Sequence, residues 1–247
     1  SHMIQTKLSV NINKWATLRN ARGGNNPNLV EAAKKIQSFG AQGITVHPRP
    51  DERHIRYADV EDLKKVVHTE FNIEGYPNDE FIELVLHNKP TQVTLVPDPP
   101  GALTSSFGWN TIDHFERLKD VVALFKKAEI RTSVFLDPNP DMLAPLAEIG
   151  ADRIELYTES YAQAYSTEHR DEVLEGFVNT AKKATTLGIG INAGHDLDLE
   201  NLHYFLKNVP EVLEVSIGHA LICDAIQFGL QNVVQMYKAR CQPEYSL

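Results

Sequence analysis

Apolar positions along the chain switch repeatedly between two spacings. Eight short runs carry the period-two alternation of strands: residues 7–13 (KLSVNIN), 43–47 (GITVH), 71–76 (FNIEGY), 92–97 (QVTLVP), 131–137 (RTSVFLD), 153–158 (RIELYT), 189–194 (IGINAG) and 213–219 (LEVSIGH). Between them, apolar side chains recur every three or four residues, the spacing of one helix face. Leu29, Ala32, Ala33 and Ile36 make one stripe, Val60, Leu63 and Val67 the next, and Phe81, Ile82, Leu84 and Val85 a third. Ile112, Phe115, Leu118, Val121, Val122 and Phe125 form the clearest stripe and would put Asp113 in a helix's first turn. Asn139 followed by Pro140 is a capped helix start. Later stripes use Leu174, Phe177, Val178 and Ala181, then Leu199, Leu202 and Phe205. The last uses Ile222, Ile226, Leu230, Val233 and Tyr237.

Three joints, SFGAQGITVH, EIGADRIELY and TLGIGINAGH, each close a helix on an apolar residue and a glycine before a strand opens. Glycine accepts the left-handed conformation that ends a helix. Eight such units with no break in composition predict an α/β protein, a (β/α)8 TIM barrel forming a single domain over residues 4–247. The opening Ser-His-Met reads as a cloning remnant. An open doubly wound sheet would carry a glycine-rich phosphate turn after its first strand. NARGGNN at 20–26 has adjacent glycines but no G-x-G-x-x-G, which favours the barrel.

Alternation also assigns faces. Leu8, Val10 and Ile12 belong against the helices, which turns Ser9, Asn11 and Asn13 inward. By the same parity Thr45 and His47, Asn72 and Glu74, Glu155 and Tyr157, and Asn192 face the interior, with His195 just past its strand. Barrel interiors are ordinarily packed with branched apolar groups. Asn11, Asn72 and Asn192 fit either a site or a satisfied internal hydrogen-bond network. His47, Glu74 and His195 together fit acid–base chemistry at the strand C-terminal rim, where barrel enzymes work.

Two features read as anion sites. SIGHAL sets Gly218, His219 and Ala220 between the last strand and the last helix, and NAGHD repeats a strand–Gly–His arrangement one unit earlier. Arg49, Arg53, His54 and Arg56 follow the second strand, and Arg19 and Arg22 the first; forked guanidinium groups suit phosphate oxygens. Arg53 and Arg56 are the best candidates for plain solvated surface. The irregular stretch 97–110 has the length of an active-site lid, in which Thr104 would bond a phosphate.

A net charge of −9 argues against binding to nucleic acid or an anionic membrane surface. No apolar run approaches the roughly 18 residues that span a bilayer, and no secretory signal is visible. Cys223 and Cys241, far apart and in no metal-like spacing, point to packing roles in a cytoplasmic protein.

The segment VNIN-ATLRNARG, then GITVH with Arg49, Asp51 and the run Arg53-His54-Ile55, resembles the pyridoxine 5′-phosphate synthase family. Asn72 with Glu74, LVP at 95–97, IELYT, NAGH and IGHA follow in that family's order, so the likeness covers essentially the whole chain. It implies condensation of 3-amino-2-oxopropyl phosphate with 1-deoxy-D-xylulose 5-phosphate to pyridoxine 5′-phosphate, phosphate and water, without metal or organic cofactor, in a homo-octamer. Carried over by position, His47 and Glu74 would accept protons and His195 donate one, with Glu155 a further acidic group. Asn11, Arg22, Gly218 and His219 would hold the aminoketone phosphate; Arg49, His54 and Thr104 the sugar phosphate. Asn13 and Lys14 stand where many relatives have Asp-His, at the border of the sugar-phosphate site. Lys14 is not needed as a Schiff-base amine, because the substrate brings its own. Asp196 stands where many relatives have glycine, and its carboxylate suits a phosphate site only if it points away or caps the next helix. The rival readings are a single-substrate sugar-phosphate isomerase or aldolase, and a non-catalytic metabolite sensor.

Overall fold

All eight strand runs form, and they join edge to edge in one closed parallel barrel in chain order. The structure, a computed structural model, describes residues 3–98, 101–102 and 106–246. The strands are β1 (Lys7–Asn11), β2 (Gly43–Val46), β3 (Glu70–Gly75), β4 (Gln92–Leu95), β5 (Arg131–Leu136), β6 (Arg153–Tyr157), β7 (Gly190–Gly194) and β8 (Val212–Ile217). Around them lie α1 (Asn13–Arg22), α2 (Leu29–Ser38), α3 (Tyr57–Val66), α4 (Asp79–Asn88), α5 (Phe115–Lys127), α6 (Leu143–Ile149), α7 (Glu159–Ala164), α8 (Arg170–Thr186), α9 (Leu202–Asn208), α10 (His219–Phe228) and α11 (Leu230–Arg240). Gly40, Gly150 and Gly188, at the three predicted joints, all take positive φ. None of the helices among the described residues is long and apolar enough to cross a membrane.

The outward strand residues, such as Leu8, Val10, Ile44, Val46, Ile154 and Leu156, are fully buried beneath the helices. This layer supplies the main apolar burial, at about 25 cal/mol per Å2 removed from water. Cys241 packs within it, whereas Cys223 is exposed.

The structure corrects four expectations. α5 starts at Phe115, not Ile112, because the Asn110 carbonyl accepts from the backbone N–H groups of Ile112 (3.1 Å) and Asp113 (3.0 Å). That side-chain turn competes with helix; it leaves Ile112 exposed and Asp113 in the turn, not in the helix. The final stripe is two helices, broken at Gly229 with φ +84°, and Ile226 is 79% exposed instead of core. α9 begins at Leu202, after Leu199. α1 was not visible as a stripe because its buried face is Trp15, Ala16 and Arg19, an arginine among apolar groups. Arg19 forks onto Asp59 with two 2.8 Å bonds and reaches the His54 carbonyl. It ties α1 to the segment after β2 and is not available to a ligand.

Inside the barrel the polar side chains form layers. Ser9 and Thr45 hydroxyls meet at 2.7 Å, Asn72 donates to Thr45, and Thr94 donates to Asn72. Nearer the strand N-termini, Arg131 Nε donates to Gln92 (2.8 Å), Asn192 donates to the same Gln92 oxygen (3.2 Å), Gln92 donates to Glu214 (3.3 Å), and Arg153 donates to Asn192 (3.0 Å). Asn72 and Asn192 therefore belong to internal networks, whereas Asn11 opens on the cavity described below. Parity applied to the first residues of β4, β5, β6 and β8 would have found Gln92, Arg131, Arg153 and Glu214.

Arg131 also pairs with Glu70 and lies 3.8 Å from Glu214, whose burial raises its carboxyl pKa. Removing the cation leaves the buried Glu214 carboxyl without this guanidinium, while Glu70 keeps Lys7. Arg131→Met is expected to cost about 3 kcal/mol in urea unfolding; a change below about 0.5 kcal/mol would show that the pair carries no net stability.

Candidate active site

The C-terminal rim of the barrel encloses a cavity of about 510 Å3. Its walls bring together Asn11, Asn13, Lys14, His47, Arg49, Glu74, Glu155, His195, Asp196, Gly218 and His219. These residues come from β1, β2, β3, β6, β7 and β8 and the turns after them. Barrel closure makes them neighbours, because all strands run the same way and end on one face.

Two helices open on this cavity. α1 starts at Asn13, and α10 starts at His219 behind Gly218, which has no side chain to cap it. The first N–H groups of a helix lack intrahelical acceptors and attract anions. A Cβ on Gly218 would stand 2.9 Å from Asn11 Cβ, so glycine is what lets the start of α10 close against the end of β1. A Cβ on Gly194 would stand 3.0 Å from Glu155 Oε1, so this glycine leaves the carboxyl its place. Asn11 Oδ1 accepts from Asn13 N–H, and Asn13 Oδ1 accepts from His47 N–H, both at 2.9 Å. The two asparagines thereby fix the turn into α1 and the end of β2.

Burial dominates the electrostatics. It holds His47 well below the usual imidazole range, helped by the charges of Arg49, His54 and Arg53, so the ring is neutral near pH 7. Burial, then the Asp98 charge, pushes Glu74 up to about 7, while His195 and Arg49 pull it the other way. Glu155 is raised well above the usual carboxylate range by burial and by Glu74 and Glu214. With cations facing Glu74 and carboxylates facing Glu155, Glu74 is the first of the two to ionise. Arg49, itself buried, lies 3.6 Å from Asp98.

Some expected residues stand apart. Arg22 is exposed on the last turn of α1 and does not line the cavity. His54 is half-buried outside the lining, with Nδ1 accepting from Ile55 N–H at 2.7 Å. Thr104 lies outside the described residues. Arg53 bonds Asp51 and the Ala102 carbonyl, and Arg56 is exposed at the start of α3. Tyr157 stacks edge-on against His195 at 4.9 Å and donates to Glu159. Asp196 caps no helix; its carboxylate engages His195 Nδ1 at 2.9 Å. Together Glu159, His195 and Asp196 bring one ring nitrogen and two carboxylate oxygens within 4.8 Å of one another.

Sequence reasoning missed Asp98, Glu159 and Ser216. Each sits at or just past a strand's C-terminal end, and Ser216 follows from parity on β8. Nearness to a strand end was the available signal.

With burial and the charges of Arg49, Lys14 and Arg53 acting on it, His54 titrates at about 4. An NMR pH titration of the free protein is expected to place its midpoint there. An ordinary imidazole midpoint would mean that the ring is solvated and clear of those cations.

A family model described as "Pyridoxal phosphate biosynthesis protein PdxJ" matches residues 8–243. Curated proteins named pyridoxine 5′-phosphate synthase align along nearly the full chain. The one from Parabacteroides distasonis is 60% identical over 234 residues, covering 95% of this chain and 98% of its own. Those from Bacteroides fragilis and Cytophaga hutchinsonii are 61% and 59% identical, covering 94% of this chain and 98% and 97% of theirs. Among solved structures, thiamine phosphate pyrophosphorylase from Pyrococcus furiosus superposes with a TM-score of 0.62 at 13% identity, covering 96% of this chain and 95% of that one. Tryptophan synthase from M. tuberculosis gives 0.63 at 14%, covering 96% and 93%. At such identities these two show the barrel fold alone.

Proposed function

The chain belongs to the PdxJ family of pyridoxal phosphate biosynthesis proteins, and we propose on that basis that it is a pyridoxine 5′-phosphate synthase. It condenses 3-amino-2-oxopropyl phosphate with 1-deoxy-D-xylulose 5-phosphate and releases pyridoxine 5′-phosphate, phosphate and water. The observation that carries this reading is one cavity lined by His47, Glu74, Glu155 and His195 and opened on by two helix N-termini.

The substrate amine attacks a ketone, water leaves, phosphate is eliminated and the ring closes. Every step moves a proton, so several acid–base groups are required and no protein nucleophile. Neutral His47 and ionised Glu74 accept protons, and His195 donates. Glu155, which holds its own proton longer than Glu74, keeps a second carboxylate from repelling the first. The α10 N-terminus with Gly218 and His219, and Asn11 beside it, receive the aminoketone phosphate. Arg49, in the cavity wall, binds the sugar phosphate, with His54, which stands outside that wall, as its second contact by kinship. Lys14 and Asn13, at the start of α1, sit between the two. Arg22 reaches its phosphate only if the end of α1 or the substrate closes the distance.

Kinship supports a homo-octamer in the cytoplasm. The exposed Ile226 and Phe228 on α10 and Leu18 on α1 offer apolar area for subunit contacts. Light scattering is expected to return the mass of eight chains; a monomer mass would end the octamer reading.

The deciding assay supplies both substrates and follows product absorbance. Product is expected only when both are present, and turnover of a sugar phosphate alone would indicate the isomerase or aldolase reading instead. Glu74→Gln is expected to lower turnover by about two to four orders of magnitude. Because Glu74 must be ionised to accept a proton, wild-type kcat/KM should rise with pH through about 7. A Glu74→Gln enzyme with near-normal rate and the same acid limb would remove the carboxylate from the mechanism. Arg22→Ala should raise KM for the aminoketone phosphate about tenfold, the worth of one charged hydrogen bond; an unchanged KM would exclude that contact.

A further inference from the structure

His195 is flanked by two carboxylates to which the mechanism above gives no task. Asp196 Oδ2 lies 2.9 Å from His195 Nδ1, and Glu159 Oε2 lies 3.8 Å from the same nitrogen. Among the described residues, every hydrogen bond and ion pair of this imidazole runs through Nδ1, and none through Nε2.

The surroundings hold this arrangement in place. His195 and Asp196 take successive positive φ values, +96° and +62°, a conformation that non-glycine residues keep only where neighbours enforce it. The Thr158 hydroxyl lies 2.7 Å from the Gly194 carbonyl and against that of His195. Asn201 Nδ2 donates to the Asp196 carbonyl at 3.1 Å, and the Tyr161 hydroxyl donates to the Asn201 carbonyl at 2.6 Å. On the opposite side, Tyr157 presses its ring against the imidazole and donates its hydroxyl to Glu159.

We propose that Asp196, backed by Glu159, is a positioning residue: it anchors His195 through Nδ1 and so reserves Nε2 as the atom that delivers the proton. The proposal rests on the proton-donor role given to His195 above. When Nε2 gives its proton to a departing hydroxyl, the C–O bond breaks with its electron pair on oxygen and water leaves. The imidazole is left neutral, with its Nδ1–H still on Asp196.

The charges around the ring favour its cationic form. Burial alone would lower the His195 pKa; the Asp196 hydrogen bond and charge, then the charges of Glu159 and Glu74, more than reverse it. The facing titratable groups are Asp196 from the loop after β7, Glu159 from α7, Tyr157 from β6 and Glu74 from β3. His219 from α10 faces Asp196 and helps keep it ionised. A donor must be protonated, so activity is lost as pH rises through the His195 pKa, and a higher pKa keeps it active to higher pH.

The test compares wild type with Asp196→Asn and, separately, Glu159→Gln. NMR of the histidine-labelled enzyme follows the His195 titration, and kcat is measured against pH with both substrates saturating. In Asp196→Asn the His195 midpoint is expected to fall by about one pH unit, the shift that loss of an adjacent opposite charge gives. Glu159→Gln should act in the same direction by less, because its oxygen is farther away. The alkaline limb of kcat should move down by the same amount in each variant, and Asp196→Glu should restore part of it. An unchanged His195 titration in both variants overturns the proposal and leaves the donor role of His195 intact. A lowered titration with an alkaline limb that stays in place overturns it through its premise, since His195 would then not be the donor.

Discussion

The pairing of β8 with β1 is the constraint on which the site depends. Lys7 registers with Glu214, Leu8 with Val215, Ser9 with Ser216 and Val10 with Ile217. With that ladder made, the barrel has no edge, and side chains of every strand must point either into the helix layer or into a closed interior. It also sets Asn11 beside Gly218, from opposite ends of the chain, and turns the starts of α1 and α10 toward one cavity. Without closure the acid–base groups would still lie at strand ends, but along an open edge and not around a single volume.

A closed interior filled with polar groups must satisfy them or leave them at a cost. This barrel divides the task by depth. In the deeper layers, from Gln92, Arg131 and Glu214 up to Ser9, Thr45, Asn72 and Thr94, these side chains satisfy one another, and the Ser133 hydroxyl beside Thr94 is left without a partner among the described residues. The upper layer does not: Glu74 and Glu155 lie close enough for the charge of Glu74 to raise the Glu155 carboxyl. The proton affinity that this leaves in the carboxyls is what acid–base chemistry near neutral pH draws on. His47 and His54, pushed to the neutral form by burial and by Arg49, complete the contrast with His195, whose carboxylates raise its proton affinity.

Strand order, barrel class and the inward-facing residues of β1, β2, β3 and β6 were legible in the sequence, because each depends on local periodicity. Elements failed to be legible where a single polar side chain or a glycine backbone overruled the pattern. Asn110 delayed α5, Gly229 divided the last helix, and buried Arg19 concealed α1. The cationic cluster after β2 shows the same limit. Arg49, Arg53, His54 and Arg56 follow β2, with Arg53 and Arg56 expected at the surface, yet only the fold buries Arg49 beside Asp98 at the cavity and commits Arg19, from the helix after β1, to Asp59.

The sequence by itself determined the alternation that makes eight strands with one polar face, and the residue types able to move protons and hold phosphate. Both are properties of near neighbours in the chain. The tertiary structure alone decided which of those groups meet, how far burial shifts each one, and that Asp196 turns toward His195 instead of capping a helix. Those outcomes depend on distances between residues far apart in sequence and on the loss of water around them, and neither quantity exists until the barrel closes.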